Sequence, residues 1–167
     1  MIKILSALVL LWMMLGCGSS QNMSMTHKPF QMVDKKDATL VQAGRDKESC
    51  VRCGMNLVRF YKTSHAAEYH GEHYQYCSMH CLEEHLGEGI ELKNPKVVDI
   101  SSLKLISVAQ AYYVVGSSKR GTMSRKSKYA FKDIKEAKKF QAEFGGKIMD
   151  FSAAREIAKE DFKHYRN

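Results

Sequence analysis

Two short stretches carry the residue types able to do chemistry: Cys50-Val51-Arg52-Cys53-Gly54-Met55 and Tyr76-Cys77-Ser78-Met79-His80-Cys81. Two residues separate the first thiols and three the second, spacings at which both sulfurs of a pair reach one ion. The pattern C-x2-C-x23-C-x3-C is a strong signal for metal ligation and a weak one for metal identity. Thiolate, thioether and imidazole donors together favour soft or borderline metals, Cu(I) first and Zn(II) second. A helix starting near Ser78 puts Cys77 and Cys81 one turn apart on one face with His80 beside them. Met55 stands two residues after Cys53, within reach of the same ion. Met123, in Lys119-Arg120-Gly121-Thr122-Met123-Ser124, lies in a segment too polar to bury it readily and is a further candidate ligand.

Three alternatives compete with a soft-metal site. A structural zinc would use Cys50, Cys53, Cys77 and Cys81 as a closed tetrahedron and need no methionine. Disulfides within each pair would constrain little chain. A thiol–disulfide enzyme would want its reactive thiol at a helix N-terminus, and Gly54 with strand-like residues beyond argues against one at Cys50 or Cys53. Transfer of an ion, not catalysis, is the expected activity, with no enzyme function and no catalytic residues.

The elements that position these residues follow from local pattern. Lys3 precedes an apolar run from Ile4 to Leu15, interrupted only by Ser6, and then Gly16-Cys17. This is an export signal too short to span a bilayer. Met14-Leu15-Gly16-Cys17 resembles the lipobox of bacterial lipoproteins, which implies cleavage after residue 16 and lipidation of Cys17. The mature chain then keeps 25 basic and 18 acidic side chains, a net charge of +7, and loses the single tryptophan. Outside the cytoplasm that excess points to anionic headgroups or an acidic partner, and no aromatic-interleaved basic run suggests nucleic acid.

Residues 17–47 read as a flexible tether, within which Met23-Ser24-Met25-Thr26-His27 could pass Cu(I) along. Residues 48–94 form a Cys/Met metal-binding unit and 95–167 a second α+β unit. Expected elements are a strand over Asn56–Tyr61, a hairpin whose runs Ala66–Tyr69 and Tyr74–Tyr76 flank His70-Gly71-Glu72-His73, and a helix from Ser78 to Gly87 or Gly89. Strands follow at Val97–Ile100, Ala111–Val115, Tyr129–Phe131 and Lys147–Phe151. A helix capped by Asp133 ends at Gly145-Gly146, and Ser152 is the expected cap of a C-terminal helix. The class is α+β: two small related units, each an antiparallel-rich sheet with a helix on one face.

Cys53-Gly54-Met55, Tyr112-Tyr113-Val114-Val115-Gly116-Ser117, Gly121-x-Met123, Ala130-Phe131 and Phe144-Gly145-Gly146 with Phe151, taken in order behind a lipobox, resemble the NosL family. These are copper-binding accessory lipoproteins of nitrous oxide reductase. Residues 50–86 also resemble YHS and TRASH heavy-metal modules. The NosL resemblance implies Cu(I) carried by a periplasm-facing lipoprotein, with Cys53, Met55 and Met123 at the family's ligand positions. It further implies apo nitrous oxide reductase and its membrane maturation complex as partners, and the membrane through the lipid anchor. Gly18 after Cys17 favours the outer membrane. Cys77, His80 and Cys81 depart from the family pattern and leave one merged site or two separate sites open.

Overall fold

A computed structural model describes residues 28–165, with side chains as far as Asp161. The export signal over residues 1–16, Cys17 and Met23–His27 lie outside the described residues.

The first unit begins with β1 (His65–Tyr69) and β2 (Glu72–Tyr76), joined at His70 and Gly71, both with positive φ as a tight hairpin turn requires. The α1 helix (Met79–Leu86) follows, with Ser78 at its N-cap position and Gly87 at its end. The chain then returns as β3 (Lys93–Val98) beside β1, and β4 (Leu105–Ser107) adds an edge, giving the order β2-β1-β3-β4. In the second unit β5 (Tyr112–Val115) and β6 (Lys128–Phe131) pair first. The α2 helix (Ile134–Phe144) intervenes, and β7 (Lys147–Met149) returns beside β5, giving β6-β5-β7. Every pairing within the two sheets is antiparallel. Each unit is thus a hairpin, a helix and a third strand laid against the hairpin's first strand. This shared connectivity confirms the α+β class and the two-unit reading.

Local signals explain most elements. Asp133 accepts the Lys135 N–H at 2.7 Å and caps α2. The α3 helix (Phe151–Tyr165) is capped two residues earlier than expected: Asp150, not Ser152, accepts the Ala153 N–H at 2.8 Å. In β5 the alternation decides which core each residue enters. Val114 joins Tyr129, Phe131, Ala137 and Phe140 beneath α2, whereas Tyr113 and Val115 join Met79, Val97, Ala154 and Ala158 on the other face. That second face is closed by α3, which reaches α1 through the Arg155–Glu83 ion pair.

Three expectations need correction. Asn56–Tyr61 forms no strand; Asn56 makes one bridge to Ser49 and its side-chain oxygen accepts the Arg59 N–H, turning the chain. Leu57 then enters the core around the cysteines while Val58 and Tyr61 enter another with Val33 and Val98. The tether expected over residues 17–47 is wrong for its described part. Phe30 meets Tyr129 edge-on at 5.3 Å, Gln31 donates to the Arg120 carbonyl, and Val41 and Gln42 are pinned by buried Gln75. Finally, the boundary at residues 94/95 cuts β3, which belongs wholly to the first sheet.

Two buried polar groups set the response of this fold to solution conditions. His65 is fully buried, with Nδ1 3.1 Å from the Thr63 carbonyl and Nε2 3.3 Å from the Tyr113 hydroxyl. That network assigns the neutral tautomer, with Nδ1–H donating to the carbonyl and Nε2 accepting from the phenol. Desolvation holds its pKa down to about 4 from an ordinary 6.5. The unfolded chain therefore binds a proton that the native chain refuses, and stability falls as the pH drops from 6.5 toward 4, by about 3 kcal/mol in total. Urea midpoints at pH 7 and pH 4.5 measure this, and His65→Gln flattens the difference. Lys128 and Asp161 form an ion pair at 3.0 Å with both side chains buried. Asp161→Ala leaves an uncompensated ammonium and costs about 3–5 kcal/mol of unfolding free energy by the same assay.

Candidate metal centre

The first cysteine pair sits on a knuckle closed by its own backbone. Cys50 N–H donates to the Met55 carbonyl and Gly54 N–H to the Cys50 carbonyl, both at 2.9 Å. Gly54 supplies the positive φ, +73°, that lets the chain reverse within this span. A Cβ placed there would touch no protein atom, so the need for glycine is conformational. The second pair straddles a strand-to-helix junction: Cys77 follows the last residue of β2, and Cys81 is the third residue of α1. Arg52, between the first two thiols, reaches Glu84 and Glu88 and ties the knuckle to the helix carrying Cys81.

These two corners bring the four Sγ atoms within 4.8 Å of one another. Cys53 and Cys77 are 3.5 Å apart, Cys77 and Cys81 3.7 Å. A tetrahedral ion with metal–sulfur bonds of ~2.3 Å holds its sulfurs about 3.8 Å apart, so the thiols stand near ligating geometry. Cys50, Cys77 and Cys81 are buried among Leu57, Tyr76 and Leu82, and Cys53 alone is exposed. The centre is a walled corner open on one side.

Its electrostatics follow from crowding. S–H groups shared from Cys77 and Cys81 push the Cys50 thiol well below the ordinary thiol range, outweighing its burial. Donating to Cys50 pushes Cys77 and Cys81 well above that range, and burial adds to the rise in both. One sulfur holds negative charge at the expense of protons fixed on its neighbours. An incoming cation must displace those protons.

The remaining sequence candidates divide. Met55 is half-buried and packs against the core that contains Cys50, Cys77 and Cys81. His80 lies outside the sulfur group. It lines a small space with Thr63, Thr122, Ser124 and Lys128, because the helix turn that aims Cys81 inward aims the preceding residue back toward the second unit. Met123 is exposed, at 42%, and holds a left-handed backbone with φ +51°. Its loop is tied to the thiols by a relay that local sequence could not reveal. Thr122 and Thr63 hydroxyls meet at 2.8 Å, and Thr63 Oγ1 donates to the Cys77 carbonyl, also at 2.8 Å. Both threonines are buried, and the second-unit loop is thereby anchored beside a ligand's backbone.

Metal affinity at this centre is expected to weaken as pH falls, by about tenfold per pH unit for each proton displaced. Anaerobic Zn(II) calorimetry at pH 6 and 8, in buffers of different ionisation enthalpy, counts those protons directly.

The NosL family model matches residues 40–160 of this chain. The crystal structure of the copper chaperone NosL from Shewanella denitrificans superposes with a TM-score of 0.51 and 25% sequence identity, covering 67% of this chain and 94% of that one. No curated protein sequence gives a significant match.

Proposed function

The chain belongs to the NosL family, and from that premise we propose that it binds Cu(I) through its sulfur cluster and passes it to an acceptor. The observation that carries the reading is the convergence of Cys50, Cys53, Cys77 and Cys81, with half-buried Met55 packed against the same core. Cu(I) is a soft ion that thioethers bind without losing a proton. The ion is cargo. An exposed sulfur at Cys53 lets an incoming donor attack while outgoing ligands leave. Met123, on an exposed loop anchored through Thr122 beside Cys77, is the added soft donor of this proposal.

The proposed acceptor is apo nitrous oxide reductase, working with its membrane maturation complex. The proposed placement is a lipid anchor at Cys17 facing the periplasm, in the outer membrane by virtue of Gly18. What supports these is family membership and the apolar run before Cys17. Among the described residues no helix is long and apolar enough to cross a membrane. Arg120, Arg125 and Lys126 are exposed and suit an acidic rim around the acceptor. Lys119 is partly withdrawn from that role, its ammonium lying 4.1 Å from the Phe144 ring centroid.

One observation favours a second reading. Three of the four thiols are buried and the set is complete without methionine, which suits a structural Zn(II) that stabilises the knuckle and hairpin. Anaerobic titration of the reduced chain with each metal, against competing chelators, separates the two. Delivery predicts Cu(I) held tighter than Zn(II), weakened about tenfold or more by Met55→Ala or Met123→Ala, and extractable by an apo acceptor. If zinc removal unfolds the first unit while neither methionine alters Cu(I) affinity, the zinc reading stands and delivery falls.

A further inference from the structure

Two or three soft donors hold a transferable Cu(I), yet four thiols meet here, and they are not equivalent. Cys53 is exposed and lies 3.5 Å from Cys77, nearer than the 3.7 Å between Cys77 and Cys81. A disulfide bond is ~2.05 Å, so closing this pair moves the sulfurs by about 1.5 Å. Cys53 is exposed, whereas the other three thiols are buried. Cys77 is held by β2 and by Thr63 on its carbonyl. Closing Cys77 onto Cys81 instead would pull on the first turn of α1, whose Cys81 and Leu82 are fully buried.

A second observation concerns access. A groove of about 1050 Å³ reaches Cys50 and Gly54 and is lined also by Asp46, Glu72 and His73. Carboxylate and imidazole suit divalent copper, whereas the Cys50 thiol that also lines the groove suits the monovalent ion.

We propose that the chain reduces the copper it captures: the Cys53–Cys77 pair is a two-electron donor to two cupric ions, and Cys50 with Cys81 retains one cuprous product while the other is released. Each of two Cu(II) ions takes one electron. The two thiols lose their protons and join as a disulfide, so that two Cu(II) and two thiols give two Cu(I), one S–S bond and two H⁺. Cu(II) is itself the oxidant, and no other is needed. This rests on the copper reading of the site and adds a redox step to it: Cys53 is the open ligand when the ion enters as Cu(I) and a reductant when it enters as Cu(II).

The test is anaerobic titration of the reduced full chain with a Cu(II) salt. It is followed by the Cu(II) paramagnetic resonance signal, by a chromogenic Cu(I) chelator, and by mass mapping of disulfides. The first two equivalents per chain are expected to lose their signal and appear as Cu(I), with Cys53 linked to Cys77 inside one chain. Cys53→Ser is expected to slow the signal loss at least tenfold and to abolish that link. A Cu(II) signal persisting below one equivalent, a disulfide mapped to Cys50–Cys81 or between chains, or an unchanged rate in Cys53→Ser overturns the proposal. Cu(I) added directly to the reduced chain keeps the two ideas apart. If it binds while Cu(II) persists, only the reductive step fails; if it does not bind, the copper reading fails with it.

Discussion

Four sulfurs held within 4.8 Å of one another form an arrangement that neither water nor the protein alone makes comfortable. As thiolates they repel at short range in a site with three buried members; as thiols they must share protons, which is why Cys50 is driven down while Cys77 and Cys81 are driven up. A cation relieves both strains. The rest of the first unit can be understood as the means of holding this crowding in place. Gly54 reverses the knuckle, Arg52 ties it to α1, and Leu57, Tyr76 and Leu82 wall it in.

The second unit matters because it is not a bystander domain. The two units repeat one connectivity, hairpin, helix and returning strand, yet among the described residues only the first carries cysteines. The second supplies support: α3 crosses to α1, Phe151 packs both into the central core and against the core around the thiols, and Arg155 pairs with Glu83. Through Thr122 it also brings an exposed methionine's loop to the back of Cys77. The support leaves one sulfur, Cys53, exposed and three buried.

Much of this was legible because the governing signals are local. The C-x2-C and C-x3-C spacings, the glycine-containing hairpin turn after Tyr69 and the Asp133 cap each act within a few residues. The misreadings share the opposite property. Asn56–Tyr61 carries strand-forming residues, but Leu57 and Tyr61 are claimed by different cores, and the asparagine turn settles the conflict. Phe30, Val33 and Leu40 hold the segment from residue 28 to the body as single anchors at irregular intervals, which no periodicity search detects.

By itself the sequence determined that sulfur ligands come in two pairs, that each pair sits at a corner, and that two α+β units follow one another. Those facts depend on backbone preferences and donor chemistry that a few neighbouring residues carry. Only the tertiary structure decided that both pairs share one centre, that His80 faces away from it, and that Met123 is anchored beside Cys77 through two threonine hydroxyls. Distance between side chains far apart in the chain is set by how sheets and helices pack, and that is a property of the whole fold.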